Sequence, residues 1–356
     1  VNTESAPPPR AIRPLSGLLL LVGTLVFILG SMEGVRWLYR LSPPDPLNGF
    51  SAEGLRVPAE ELERAEAAGM LRALEGFPPM PAAEAEALKM RSGNPVFLVR
   101  GDRVAVISIG GETRGYPLRV LVFHEVVNDI LGGVPITIVH HPVSGAVIAF
   151  ERRFEEETLS FASSMVLLDS NPLLFDRPPG DDPALLSTCG LWSPLIGECL
   201  SGPRAGTRLR RLPLRVTTWE EFKASVPDPH VVGPHPKYVK AYRKDLYNQY
   251  EGMGIPRFRH DPRPPTEAEG GRPAFDRMLV LSAGEPAEVR ALSLRELARE
   301  SAPRVELGGA TLTLEWLDRD AGAIRVASVE GGPLHWSGEV YWFVWYAHRE
   351  RVIASP

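Results

Sequence analysis

Residues Pro14 to Met32 carry no charged side chain and run Leu-Ser-Gly-Leu-Leu-Leu-Leu-Val-Gly-Thr-Leu-Val-Phe-Ile-Leu-Gly from Leu15 to Gly30. A helix of roughly 20 apolar residues crosses a hydrocarbon layer of ~30 Å, so this run predicts one membrane span. It exceeds the ~7–15-residue apolar core of a cleaved leader, and no small-residue cleavage site follows Gly30, which favours an uncleaved anchor. Arg10 and Arg13 precede the run, and Trp37 and Tyr39 follow it at the depth where amphipathic rings favour the interface. The positive charge in front predicts a cytoplasmic N-terminus, with the bulk of the chain in the periplasm of a bacterial inner membrane; Arg36 and Arg40 oppose that orientation. Gly17, Gly23, Gly30 and Gly34 would let the helix approach other spans closely, although glycine is also simply common in membrane helices.

The rest of the chain is large enough for a proper core. Of 356 residues, 44% are hydrophobic, which excludes a disordered tail. Lys plus Arg number 39 against 44 Asp plus Glu, a net charge of −5 without a basic stretch, and this argues against a nucleic-acid partner. Two cysteines cannot build a zinc ribbon, a four-cysteine cluster or a covalent haem site. Ser42-Pro43-Pro44-Asp45-Pro46 reads as a stiff spacer. Ala59 to Leu74 has helical composition, ended by the prolines from Phe77 to Pro81. Strand signals follow at Val96 to Val99, Val104 to Ile109, Ile136 to Val139 and Ala146 to Phe150. Leu118, Leu121, Val122, Val126 and Ile130 predict a helix, with Gly132-Gly133 as its stop.

A shift of 176 positions aligns Arg114 to Phe150 with Arg290 to Val326 without a gap. Leu118-Arg119 meets Leu294-Arg295, Leu131-Gly132-Gly133 meets Leu307-Gly308-Gly309, Thr137 meets Thr313, and Ile148 meets Ile324. Trp219-x-x-Phe222 and Trp342-x-x-Trp345 read as matching closing elements. The expectation is an α+β, mainly β body of two related halves behind a single transmembrane helix. Its divisions are a cytoplasmic N-terminus (1–13), the span and its interface (14–38), a Pro-rich linker and helix (39–78), a first half (79–226), an irregular connection (227–273) and a second half (274–356).

Tyr116-Pro117-Leu118-Arg119, His124-Glu125-Val126-Val127-Asn128-Asp129 and Gly132-Gly133-Val134-Pro135 together resemble the bacterial Domain of Unknown Function 3179 family. The resemblance continues through Leu173-Leu174-Phe175-Asp176-Arg177, Leu191-Trp192-Ser193, Gly197-Glu198 and Gly202-Pro203-Arg204-Ala205-Gly206-Thr207. It implies an extracytoplasmic body and carries no established activity. Where the family has Tyr-Cys-Pro-Leu-Cys-Gly, this chain has His140-His141-Pro142-Val143-Ser144-Gly145, so both thiols of the implied Cys-x-x-Cys are missing.

His124 and His141, with His140 and with Glu125 or Asp129 nearby, are the candidate ligands for zinc or copper. The alternative is that His124 ties the helix to the sheet while His140 and His141 point to opposite faces of one strand. Cys189 and Cys199 would form a disulfide in an oxidising compartment, or serve as small buried apolar residues. Tyr242, Tyr247 and Tyr250, in a locally basic stretch, join Trp37 and Tyr39 as candidate partner contacts, against the alternative of a solvated loop. Trp336, Tyr341, Trp342, Phe343, Trp345 and Tyr346 belong mostly to a core.

A tether, a spacer and a vacated cysteine pair lead to a non-catalytic accessory subunit without a cofactor. Its expected partners are the lipid bilayer and integral membrane subunits of an energy-transducing assembly, photosynthetic reaction-centre and antenna type or respiratory. The rivals are a metal-handling or enzymatic periplasmic protein with a rearranged His site, and a free tethered module that binds a ligand.

Overall fold

The computed structural model describes residues 30, 45–65, 73–88, 97–238, 242, 250, 252, 256 and 259–354. Gly17, Gly23, Gly34, Trp37, Tyr39 and Tyr247 lie outside them, as does the uncharged run except for Gly30. Gly30 is helical, with open space where a Cβ would stand. Among the described residues no helix is long and apolar enough to cross a membrane.

The body is mainly β. In chain order its strands begin with β1 (Leu62–Arg64), β2 (Leu74–Glu75) and β3 (Pro79–Pro81), and helix α1 (Ala82–Ala87) follows. Strands β4 (Arg103–Ile109) and β5 (Glu112–Pro117) lead into helix α2 (Leu118–His124), then β6 (Val126–Leu131), β7 (Val134–His141) and β8 (Ala146–Glu151). A small hairpin, β9 (Arg153–Phe154) and β10 (Glu157–Thr158), precedes β11 (Phe161–Leu168), β12 (Asn171–Asp176), β13 (Leu191–Ser193), β14 (Glu198–Cys199) and β15 (Arg211–Leu212). Strand β16 (Arg215–Thr218) runs into helix α3 (Trp219–Ser225), and β17 (His230–Val232) comes next. The C-terminal part holds β18 (Arg277–Ala283), β19 (Glu288–Ser293), helix α4 (Leu294–Leu297), β20 (Arg304–Leu307), β21 (Ala310–Asp318), β22 (Ala323–Glu330), β23 (Leu334–Tyr341) and helix α5 (Trp342–Ile353).

The central sheet runs β19-β18-β23-β8-β7-β6-β2, with β15 also on β8. It is buried on both faces, because alternate side chains of one strand enter different cores. Ile148 and Phe150 of β8 join the core under β11 to β14, whereas Val147 and Ala149 join the core under β4, β5 and β16. This double burial is why β7 and β8 read as nearly unbroken apolar runs. A third core fills the space between β18, β19 and the β20-β21-β22 meander.

The order strand, strand, short helix, strand, strand, strand occurs twice, and pairing register recurs with it. Val104 pairs with Pro117 and Thr217; Met278 pairs with Ser293 and Val340. Leu131 pairs with Val134, and Leu307 with Ala310. Both Gly-Gly turns have positive φ at each glycine. A Cβ on Gly132 would stand 2.3 Å from the Ile109 carbonyl oxygen, and one on Gly308 would stand 2.6 Å from that of Ala283. The same close approach of one hairpin turn to the neighbouring strand end therefore demands glycine in both places.

The two sets meet reciprocally. Strand β23 of the second pairs with β8 of the first through Glu339 and Val147, and β16 of the first runs beside β22 of the second. Between them the Leu214 N–H donates to Ser337 Oγ at 3.0 Å, and that hydroxyl donates to the Leu214 carbonyl at 2.6 Å.

Several local expectations are corrected. The helix starting at Leu118 ends at His124: Glu125 adopts a positive φ of 57°, and β-branched Val126 and Val127 pair with Val139 and Ile138. Gly132-Gly133 therefore turns a hairpin rather than stopping a helix. In the stretch from Ala59 to Leu74 only Ala59–Glu61 forms a single 3₁₀ turn among the described residues. Leu62 to Arg64 pair with Val166 to Leu168, so tertiary pairing overrides helical composition. Phe97 and Leu98 form a buried bend rather than a strand. The connection at 227–273 contributes β17, which lies parallel to β5 and antiparallel to β3.

Candidate functional site

The histidines proposed as metal ligands sit at the junction of α2, β6 and β7. His124 closes α2 and places Nε2 2.6 Å from the Tyr242 hydroxyl, which also accepts the His235 N–H at 3.2 Å. Burial raises the Tyr242 pKa. Tyr242 is fully buried, edge-on to Phe123, and Tyr250 is buried against Phe275. Neither is the exposed partner contact expected from sequence, because both rings fill the core, and the Tyr242 hydroxyl finds its partners inside it.

His140 and His141 are both buried at the end of β7. His140 Nδ1 lies 2.9 Å from the Ala146 carbonyl, and burial lowers its pKa to about 4. His141 Nε2 lies 3.3 Å from Glu125 Oε1. Burial drives these two in opposite directions, His141 down to about 3 and Glu125 up to about 7. Desolvation disfavours both charged forms, so His141 is neutral over the ordinary pH range and Glu125 holds its proton well above the usual carboxylate range. The structure thus brings His141 to Glu125 and His124 to Tyr242. Asp129 turns elsewhere, accepting from the Tyr116 hydroxyl at 2.8 Å and pairing with Arg114 at 2.6 Å. Among the described residues no three His, Cys, Asp or Glu side chains group as metal ligands.

Ser144 occupies the position implied for the second family thiol. Its hydroxyl donates to the His141 carbonyl at 3.3 Å and accepts the Ala146 N–H at 3.2 Å, so it braces the β7–β8 turn. The disulfide between Cys189 and Cys199 is also corrected, since both thiols are free and buried. Each donates to a nearby carbonyl instead, Cys189 to Leu185 and Cys199 to Ser201. Burial pushes their pKa values up to about 11 and about 12, which keeps them protonated and poorly nucleophilic.

A cleft of about 770 Å³ lies apart from these histidines and gathers segments that carry the family resemblance. Arg177 forks onto Asp181 at 2.5 and 2.8 Å and also meets Glu75 and Ser160. Arg204 bridges Asp176 and Glu157, each at 2.7 Å. Asp176 further accepts the Gly190 N–H at 2.6 Å. Behind this wall Asn128 imitates a strand partner. Its amide donates to the Phe161 carbonyl at 2.8 Å and accepts the Phe161 N–H at 3.1 Å, which joins β6 to β11. Asp176, Arg177, Arg204 and Glu75 were not singled out as site residues from sequence. The Asp-Arg step and the Gly-Pro-Arg turn were visible there, but nothing local showed that they face one another.

A family model described as a protein of unknown function, DUF3179, matches residues 75–335. No curated protein and no solved structure matches the chain.

Proposed function

The chain belongs to the DUF3179 family of proteins of unknown function, and from that premise we propose that it is a non-catalytic accessory subunit of a bacterial membrane complex. The span read from Pro14 to Met32 would pack among other spans, and the β body would cap neighbouring subunits in the periplasm. The proposed host remains an energy-transducing assembly, photosynthetic or respiratory. The recurring register supports a second part of the reading, that the body arose by duplication of one half.

One observation carries the non-catalytic reading: the position implied for a reactive thiol holds Ser144, fully buried and committed to its own turn. A hydroxyl there supplies neither charge nor softness for a metal or for redox chemistry. The test is native electrophoresis with mass spectrometry on the full chain, extracted from its own membranes in mild detergent. Co-migration with integral membrane subunits is expected. A lone monomer, or stoichiometric zinc or copper that disappears in His141→Gln, would overturn the proposal.

The cleft at Arg177 and Arg204 favours a second reading, a tethered ligand-binding module. Its two arginines are each already neutralised by carboxylates, so a ligand would have to exchange for existing ion pairs. A monomer whose thermal stability rises with extracts of the cell envelope would favour that alternative.

A further inference from the structure

The reciprocal contact between the two strand sets is closed on one side and open on the other. On the closed side Gly338 of β23 faces β8, and a Cβ there would stand 2.7 Å from the Val147 carbonyl oxygen. The bare glycine lets the strands approach and pair at Glu339 and Val147. In the first set the residue at the matching register is Arg215: it precedes Val216, which pairs with Ala105, as Gly338 precedes Glu339, which pairs with Leu279. A long side chain stands where the other side has none. No ladder joins β16 to β22 among the described residues, and a cleft of about 370 Å³ lies there instead.

Apolar side chains line this cleft beside Ser108, Ser337 and two arginines, of which Arg215 has no carboxylate partner among the described residues. Val106, Leu279, Ile324 and Leu334 line it together with Arg215 and Arg325. Arg325 is already bound by Glu315, at 2.6 and 2.8 Å. Arg215 has no such partner: its Nε is buried without an acceptor, and no carboxylate pairs with it among the described residues. Burial first, and the neighbouring Arg325 second, hold its pKa below the ordinary arginine value. A partly desolvated guanidinium without an anion is costly, and a planar carboxylate would offset that cost through two parallel hydrogen bonds. The volume falls within the roughly 300–1,000 Å³ range of small-molecule sites.

We propose that this cleft binds a small organic carboxylate, its charged end on Arg215 and its hydrocarbon part against the apolar walls. The site is separate from the cleft at Arg177 and does not depend on the subunit reading. The test uses the full chain in lipid nanodiscs, with benzoate carrying a ¹³C-labelled carboxylate observed by NMR. Inorganic phosphate serves as a probe with charge alone, and benzyl alcohol as a probe with the ring alone. Benzoate is expected to bind and both controls to bind more weakly. Arg215→Met is expected to weaken benzoate about tenfold or more, and Arg215→Lys to weaken it less. Should Arg215→Met fail to fold, Ala327→Trp, which fills the mouth from an exposed position, is expected to abolish binding with the charge intact. No benzoate binding, unchanged affinity in Arg215→Met or in Ala327→Trp, or phosphate binding as tightly as benzoate would overturn the proposal.

Discussion

The two strand sets share their pairing register but differ in what surrounds it. The first, from β4 to β8 with β16, is enclosed by the β11 to β14 layer and lends its central strands to two cores. The second, from β18 to β23, closes its own meander over a smaller core, sends Met278 and Val280 of β18 and Trp336 and Val340 of β23 into the core under β11 to β14, and among the described residues leaves the outer edge of β22 without a strand partner. Elements that must fit one another, such as the Gly-Gly turns, agree in both sets. Positions facing the other set have diverged, with Gly338 against Arg215 as the sharpest case. Within a set, packing permits few solutions. Across the seam, the bare glycine stands where the sheet is joined and the arginine where a cleft opens.

The largest expected effect comes from forcing the two sides to match. Gly338→Arg would drive a side chain into the Val147 carbonyl and bury a charge, with an expected loss of about 4 kcal/mol or more in denaturant unfolding. A loss under about 1 kcal/mol would mean that the β8–β23 junction is not the closed side. Next come the turns. Gly132→Ala and Gly308→Ala each place a Cβ against backbone at positive φ, and each is expected to cost about 2–3 kcal/mol. Clearly unequal losses would break the equivalence of the two sets.

A pH series sharpens the comparison, because the buried Glu125 and His141 belong to the first set alone. The second set carries Ser301 and Leu317 at the positions shifted by 176. Glu125 is raised from 4.5 to about 7, so its contribution to stability is fully present below about pH 4.5 and lost as pH rises through about 7. His140 and His141 are lowered from 6.5 to about 4 and about 3, so theirs is full above 6.5 and lost as pH falls through those values. Glu125→Gln is therefore expected to stabilise the protein at pH 8, by about 2 kcal/mol, and to gain little at pH 4.5. A gain that does not depend on pH would contradict the assignment. The smallest effect concerns the two thiols: dithiothreitol should leave Tm unchanged, whereas a marked fall would reveal a Cys189–Cys199 bridge.

Much of the framework was legible in sequence where one physical demand dominates a segment. β4, β7 and β8 announce themselves because burial on both faces leaves little room for polar residues. The Gly-Gly pairs are legible because their turn tolerates little else. Helix length was not legible: Val122, Val126 and Ile130 fit a helical spacing, and only the backbone reversal at Glu125 turns that segment into a strand. The Arg177 cleft was invisible for another reason. Its ion pairs join residues as far apart as Glu75 and Arg177, a separation of 102 positions, and no local pattern encodes such a meeting. Tyr242 was misread because a tyrosine in a basic stretch looks exposed until His124 is found beneath its hydroxyl.

Amide hydrogen exchange measured along the two edges where the sets meet, β8 with β23 and β16 with β22, tests the broken reciprocity most directly. The account predicts strong protection where β8 meets β23, at Val147 and Glu339, and rapid exchange for the β22 amides that face β16. Equal protection on both edges would show that the second junction is also a hydrogen-bonded sheet, leaving no room for the cleft or for an unpaired Arg215.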